Sequence, residues 1–136
     1  MNLYLKSMAI TINDVALRNS LGDDIIARLN AGTTNATGRL VFQTSGDVTL
    51  SVNTLTNPAA PGFASGTTTF SAIANGTIAA TGTVAKFVAQ NRDETVIFTG
   101  NVTATGGGGD ITFNTVSWVA GDTCSVSSLT LTVPGA

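Results

Sequence analysis

The chain contains no histidine among its 136 residues. Histidine is the commonest general base in enzymes, a member of the usual catalytic triads and the most frequent protein ligand of transition metals. Its absence removes the residue on which most hydrolytic and many metal-dependent sites depend. Charged residues are also scarce, at 10% against about 25% in an average protein. The sequence is therefore poor in the groups that carry chemistry.

Serine, lysine and the acidic residues do not replace the missing histidine. Lys6 and Lys86 stand in no Ser-x-x-Lys motif, and residues 62–66 lack the spacing of a nucleophile elbow. The neighbouring acids Asp23-Asp24 and Asp93-Glu94 would suit glycoside hydrolysis only if the fold brought two carboxylates within about 5 to 9 Å. We expect instead that the first pair lies on a polar helix face and the second in a hairpin turn.

No ligand-binding motif is present either. The acids lack the Asp-x-Asp-x-Asp spacing of a calcium loop. The glycines at 106–109 precede a strand pattern without a lysine, so we interpret them as a flexible connector and not as a phosphate loop. We therefore predict that the protein is not an enzyme and uses no metal, no cofactor and no small-molecule substrate.

Charge and hydropathy exclude two further classes of partner. The formal charge is −2, and lysine and arginine form no cluster, so neither a nucleic acid nor a membrane surface is predicted. The opening residues lack the apolar run of a signal peptide, and no run is long enough to cross a bilayer. We expect folding in the cytoplasm. The single Cys124 cannot form an intramolecular disulfide, and its place in an alternating pattern predicts a small buried hydrophobe.

In place of charge the chain is rich in small polar residues, with 23 threonines, 10 serines and 15 glycines. This composition favours strands and turns and leaves a surface of hydroxyl and methyl groups. Such a surface suits close packing against neighbouring molecules.

The first part of the chain predicts an arm and a helix. Residues 1–12 alternate weakly and are interpreted as an N-terminal arm or a short strand outside the core. Asn13 or Asp14 can cap a helix over residues 13–31, which Ala31-Gly32 would end and Gly22 could break. Its apolar residues recur every four positions, at Leu17, Leu21, Ile25 and Leu29.

From Arg39 onward the hydrophobic period changes to two. The alternation at Leu40 and Phe42 predicts one half-buried strand, and that at Val48, Leu50 and Val52 predicts the inward side of the next. The turn at 45–47 joins the two strands in a first hairpin. A proline-containing loop follows at 57–66, and the turn at 91–94 predicts a second hairpin. About eight short strands at regular spacing predict a mainly β fold, an antiparallel jelly-roll-like β-sandwich, which with the helix makes residues 13–136 a single domain.

A few apolar residues are candidates for contact with a partner. Tyr4 lies between Leu3 and Leu5 in an arm with no obvious core to join, and such arms often become ordered against a partner. The alternatives for the arm are a frayed terminus and a strand added to the domain itself. Trp118 follows Val116 by two residues and could belong to the core or contact a partner. The candidate contact residues are Leu3, Tyr4, Leu5, Leu17, Leu21 and Trp118.

Six short motifs are spread over most of the chain: Ile26-Ala-Arg-Leu-Asn-Ala-Gly32, Arg39-Leu-Val-Phe42, Ala79-Ala-Thr-Gly-Thr-Val-Ala-Lys-Phe87, Gly100-Asn-Val102, Ile111-Thr-Phe-Asn114 and Thr130-Leu-Thr-Val-Pro134. Through these motifs the segment 13–134 resembles small virion proteins of tailed bacteriophages, and it is most similar to their jelly-roll cement, or decoration, proteins. It differs from the usual pattern at 43–57, where a Gly-x-x-Pro turn is missing.

This resemblance implies a structural role in the virion. Proteins of this family sit on the icosahedral shell, often as dimers, and bridge neighbouring copies of the major capsid protein. We accordingly expect a homo-oligomer that is assembled in the host cytoplasm and located on the capsid surface, where it stabilises the phage head. An alternative is a tail- or fibre-associated β-sandwich that binds a carbohydrate or a receptor, which would need exposed aromatic side chains.

Overall fold

The computed structural model describes residues 11–135. One helix, α1 (Val15–Asn30), opens this part of the chain. Asp14 caps it, because its carboxylate accepts hydrogen bonds from the backbone N–H groups of Ala16 at 2.8 Å and Leu17 at 3.3 Å. The predicted helix is therefore confirmed, with its cap at the second of the two proposed residues.

The face that α1 buries is not the four-residue apolar row seen in the sequence. Its buried residues are Gly22, Ile26 and Leu29, whereas Leu17 and Leu21 are exposed. Of the four residues of that row, only Leu29 is buried, and Ile25 is half-buried.

Gly22 is the reason for this rotation of the buried face. A Cβ atom at Gly22 would lie 2.4 Å from the ring of Phe63, so the missing side chain lets that ring pack directly against the helix. The helix continues through Gly22 without a break, contrary to the break that we considered from the sequence.

Eleven strands follow α1 within the described residues, several of them only two or three residues long. They are β1 (Arg39–Gln43), β2 (Thr49–Thr54), β3 (Thr67–Thr69), β4 (Gly76–Thr77), β5 (Gly82–Thr83), β6 (Lys86–Gln90), β7 (Val96–Ala104), β8 (Ile111–Phe113), β9 (Ser117–Trp118), β10 (Thr123–Cys124) and β11 (Thr130–Thr132).

Five of these strands form a curled sheet in the order β2-β1-β6-β7-β8. The other six form three two-stranded ladders, β3 with β11, β4 with β10 and β5 with β9. The hairpin predicted around residues 91–94 is confirmed as β6 and β7. The mainly β fold with an N-terminal helix is also confirmed, and the arrangement is consistent with a β-sandwich. The jelly-roll connection stays a prediction.

Two details of the strands depart from the sequence prediction. The strands number eleven instead of about eight, because the long alternating runs are interrupted after two or three ladder pairs. The sheet is also not wholly antiparallel, since β8 pairs with β7 in parallel. The glycine-rich segment 106–109 lies between β7 and β8 and returns the chain to the start of β8. It therefore acts as the connector that the sequence predicts.

A β-bulge in β2 changes which residues face the core. Phe42 pairs with Ser51, and the next residue, Gln43, pairs with Thr49, so Leu50 is the extra residue. Leu50 and Ser51 are consequently both buried, and Val52 is exposed. The predicted inward row of Val48, Leu50 and Val52 was therefore correct only at Leu50.

The core lies between the inner face of the sheet and the layer formed by the short ladders. From the sheet it contains Leu40, Phe42, Phe87 and Val102, and from α1 it contains Ile26 and Leu29. Trp118 and Cys124 contribute from the layer of short ladders. The expectation of a buried Cys124 is confirmed, and desolvation raises the pKa of its thiol.

One buried side chain joins the two layers by hydrogen bonds. Asn53 on β2 donates from Nδ2 to the carbonyl oxygens of Ala74 and Cys124, each at 3.0 Å, and its Oδ1 accepts from Ser51 Oγ at 2.9 Å. Gly76 makes this approach feasible, because a Cβ atom there would lie 2.3 Å from Ser51 Oγ and 2.7 Å from Asn53 Oδ1. The edge of the sheet is thereby joined to the ladder of β4 and β10.

We predict that Gly22→Ala destabilises the protein by about 1 to 3 kcal/mol, because the new methyl group must displace the ring of Phe63. Glycine to alanine in an exposed helix interior normally stabilises by about 1 kcal/mol, so the expected sign is reversed here. Urea unfolding followed by circular dichroism measures the difference. The control is Ser20→Ala on the exposed side of α1, and a Gly22→Ala variant more stable than the native chain would contradict the prediction.

We predict that Asn53→Ala lowers the free energy of unfolding by about 2 to 4 kcal/mol, because the buried carbonyl group of Cys124 and the partly buried one of Ala74 lose their donor. Asn101→Ala is the matched control, since Asn101 is an exposed asparagine on a strand of the same sheet. Chemical denaturation measures both. Equal losses for the two variants would show that the buried amide does not join the layers.

Candidate partner-binding surface

The exposed apolar residues of α1 form a short stripe. Leu17 and Leu21 are one turn apart on the same side of the helix and are 49% and 43% exposed. Ile25, one further turn along, is half-buried. Two neighbouring leucine side chains that are exposed on one helix face make this stripe the candidate contact surface.

This stripe leads to an open groove. Ile25 lines a cavity of about 560 Å³ together with Phe87 and Phe98 of the sheet and Leu129 and Leu131 at the C-terminal end of the chain. Asp110 is its one charged residue, and Phe70 and three threonine residues complete the lining. Its lining therefore consists mostly of apolar side chains with three hydroxyl groups, which suits an apolar segment better than a charged ligand.

A second groove continues from the first. It has a volume of about 370 Å³ and lies between residues 110–113, which include β8, and residues 125–130. The two grooves share Asp110, Leu129 and Thr130. The two grooves together form a continuous depression that extends from Ile25 of α1 to β8.

Trp118 belongs to the core and not to this surface. Its side chain is 6% exposed. The indole lies 5.0 Å from the ring of Phe113 and 5.7 Å from that of Phe42, in edge-on contacts, and its Nε1 donates to the carbonyl oxygen of Thr115 at 3.0 Å. Of the two alternatives stated for Trp118, the core position is the one observed, and little of the indole is accessible to a partner.

The other contact candidates divide into two groups. Leu17 and Leu21 lie together on the exposed stripe of α1. Trp118 lies on β9, about 100 residues further along the chain. Leu3, Tyr4 and Leu5 lie outside the described residues. The sequence did not indicate the groove residues Phe98, Leu129 and Leu131, because alternation alone marks them as ordinary strand residues.

Each acidic pair has a structural role. Asp23 accepts a hydrogen bond from the backbone N–H of Phe63 at 2.8 Å, and Asp24 forms an ion pair with Arg28 at 2.9 Å along the helix. The guanidinium gains from this contact, so the pKa of Arg28 is raised, first by the hydrogen bond to Asp24 and then by its charge. The two neighbouring carboxylates therefore bind different partners.

The second acidic pair fastens the segment after α1 to the hairpin of β6 and β7. The carboxylate of Asp93 accepts from the backbone N–H groups of Thr33 and Thr34, each at 2.8 Å. These two hydrogen bonds are the main reason why the pKa of Asp93 is held below its usual value. Glu94 forms an ion pair with Arg39 at 2.9 Å. The predicted place of both acids in a hairpin turn is confirmed.

The described residues contain no group of three or more histidine, cysteine, aspartate or glutamate side chains that could hold a metal ion. Within residues 11–135, no helix has the length and hydropathy needed to cross a membrane.

Comparison with known proteins adds no family assignment. A scan against protein-family models finds no matching family, and searches of curated proteins and of solved structures find no match.

We predict that Asp93→Asn destabilises the protein at neutral pH and that the difference from the native chain shrinks in acid. Because the folded pKa of Asp93 is lowered, its contribution is fully present above the unfolded value of about 3.9 and is lost as pH falls through the folded value. Urea midpoints measured between about pH 7 and pH 2.5 test this.

Asp122→Asn is the control for this titration, because Asp122 is exposed. Within residues 11–135 its carboxylate accepts no hydrogen bond and forms no ion pair. Its effect is expected to be small at every pH. A gap between Asp93→Asn and the native chain that stays constant or widens in acid would contradict the linkage.

Proposed function

We propose that this protein is a structural protein of a virion, a capsid cement or decoration protein that binds and bridges copies of the major capsid protein and so stabilises the phage head. The observation that carries the proposal is the exposed pair Leu17 and Leu21, which leads into an apolar groove on a weakly charged surface. The capsid as the partner rests on the sequence resemblance described above.

The proposed contact depends on burial of apolar area and not on charge. A leucine side chain that passes from water into an interface contributes roughly 1.5 to 3 kcal/mol. Two such residues and a groove can provide the anchors of an interface, around which hydroxyl groups of a threonine-rich surface make weaker contacts. The low net charge avoids a strong repulsion between many copies on one shell.

Avidity is the mechanism by which modest contacts would stabilise a capsid. A protein that contacts two neighbouring capsid subunits makes the second contact within the same complex, at a high effective concentration. A dimer, as the resemblance implies, doubles the number of contacts. In this proposal the protein is assembled in the host cytoplasm and resides on the capsid surface.

The alternative of a carbohydrate-binding tail or fibre module has less support. Sugar binding commonly uses an exposed aromatic platform, and the single tryptophan is buried among other aromatic rings. Phe98 and Phe113, which line the grooves, are only half-buried and remain the aromatic residues through which such binding would occur.

Cryo-electron microscopy of the parent particle tests the proposed location. Density for this chain on the capsid surface, with α1 towards the shell, is the expected result. Absence of the chain from the capsid, or its presence on the tail alone, would overturn the proposal. Light scattering of the purified protein measures whether it is a dimer.

We predict that Leu17→Ser combined with Leu21→Ser weakens binding to capsids that lack the protein by at least about tenfold, because two apolar anchors are lost. The double variant is expected to fold normally, since both side chains are exposed. Co-sedimentation with the capsids measures binding.

Val119→Ser is the matched control for this experiment, because Val119 is an apolar residue that is 53% exposed but lies outside α1 and the groove. It is expected to bind as the native chain does. Unchanged binding of the leucine double variant would show that the stripe is not the contact surface.

A further inference from the structure

The chain contains a single Asn-Gly step, Asn75-Gly76, at the start of β4. In this dipeptide the backbone nitrogen of the glycine readily attacks the side-chain amide of the asparagine, because glycine has no side chain to hinder the approach. Asn75 is exposed, whereas Gly76 is buried. The reactive amide is therefore in water, and the nitrogen that would attack it belongs to a buried residue.

The folded backbone restrains this nitrogen. Gly76 pairs with Cys124 in the antiparallel ladder of β4 and β10. Two residues further along, the N–H of Ile78 donates to the carbonyl oxygen of Asp122 at 2.8 Å. Hydrogen-bonded pairs recur at every second residue of such a ladder, so the Gly76 N–H donates to the carbonyl oxygen of Cys124. A peptide nitrogen held in this way is not free to turn towards the side chain of Asn75.

The space around Gly76 is also restricted. A Cβ atom there would lie 2.3 Å from Ser51 Oγ and 2.7 Å from Asn53 Oδ1. The side chain of Asn53 also binds the carbonyl groups of Ala74 and Cys124, which lie on either side of this point. An additional main-chain atom at the Asn-Gly step would therefore move β4 away from β2.

We propose that Asn75 is a site of spontaneous deamidation, that the reaction requires the ladder of β4 and β10 to open, and that its isoaspartate product prevents the ladder from closing as before. The proposal rests on the residues around Gly76 and is independent of the proposed function.

Water is the only co-reactant that this reaction needs. The backbone nitrogen of Gly76 loses its proton and forms a bond to Cγ of Asn75. The bond from Cγ to Nδ2 breaks, and ammonia leaves with that proton. Water then opens the five-membered imide at one of its two carbonyl groups. Opening at Cγ gives aspartate, whereas opening at the main-chain carbonyl gives isoaspartate, whose main chain runs through Cβ and Cγ and is one atom longer.

Incubation of the full chain at mildly alkaline pH, followed by peptide mass spectrometry, measures the reaction. The mass increase that accompanies exchange of an amide for a carboxyl group is expected at Asn75. It is expected to form at least about tenfold more slowly in the folded chain than in the chain unfolded in urea. The internal control is Asn101, an exposed asparagine followed by a β-branched valine, which is expected to react more slowly than Asn75 in the unfolded chain. Equal rates at Asn75 in the folded and unfolded chain would overturn the proposal.

Asn53→Ala tests whether opening of the ladder limits the rate. This variant removes the donor to Cys124 and Ala74, so it is expected to raise the rate at Asn75 in the folded chain at least about tenfold. Asn101→Ala is expected to leave the rate nearly unchanged. Circular dichroism reports whether each variant is folded, and the native chain in urea below its unfolding midpoint gives a second measurement, in which the rate is expected to rise with urea. A rate at Asn75 that responds neither to Asn53→Ala nor to urea would contradict the proposed opening.

Asn75→Asp separates the effect of the longer main chain from that of the new charge, because it carries the charge on an unaltered main chain. The deamidated native chain is isolated by ion exchange, and its isoaspartate content is measured by enzymatic carboxyl methylation. The fraction that contains isoaspartate is expected to unfold at a lower urea concentration than Asn75→Asp, which is expected to unfold close to the native midpoint. Equal midpoints for the isoaspartate fraction and Asn75→Asp would show that the fold accommodates the longer main chain, and would overturn the proposal.

Discussion

The two layers of this protein depend on the buried amide of Asn53. A core formed on one side by two- and three-residue ladders has few backbone hydrogen bonds to hold those ladders in place, and isolated two-stranded units are marginal in water. Asn53 donates both of its N–H groups to Ala74 and Cys124, which connects β2 to the second layer, and its carbonyl oxygen accepts from Ser51 on the same strand. A buried amide contributes specificity only when all its groups are paired, and here they are.

The same residue shows where sequence reasoning failed. The alternation of Val48, Leu50 and Val52 predicted a valine-lined inner face, but the bulge at Leu50 reverses the pattern and places two polar side chains inside. A bulge adds one residue to one strand and leaves no composition signal, so period-two reasoning cannot locate it. Fold class, the hairpin of β6 and β7 and the burial of Cys124 were predictable, because they depend on local turns and on average hydropathy.

The helix was predicted in extent but not in orientation, and this difference determines the candidate site. A four-residue apolar period fits Leu17 to Leu29, yet close packing of Phe63 against Gly22 rotates the buried face towards Ile26. A ring that lies 41 residues further along the sequence cannot be inferred from the helix itself. The outcome is that Leu17 and Leu21, which the sequence analysis named as candidate contact residues, are exposed on the helix surface.

The stripe and the groove are physically connected, because Ile25 is one turn from Leu21 and also lines the cavity beside β11. Leu17, Leu21 and the apolar lining of the cavity therefore form one continuous surface. A molecule that covered the stripe would also exclude water from the groove beside it.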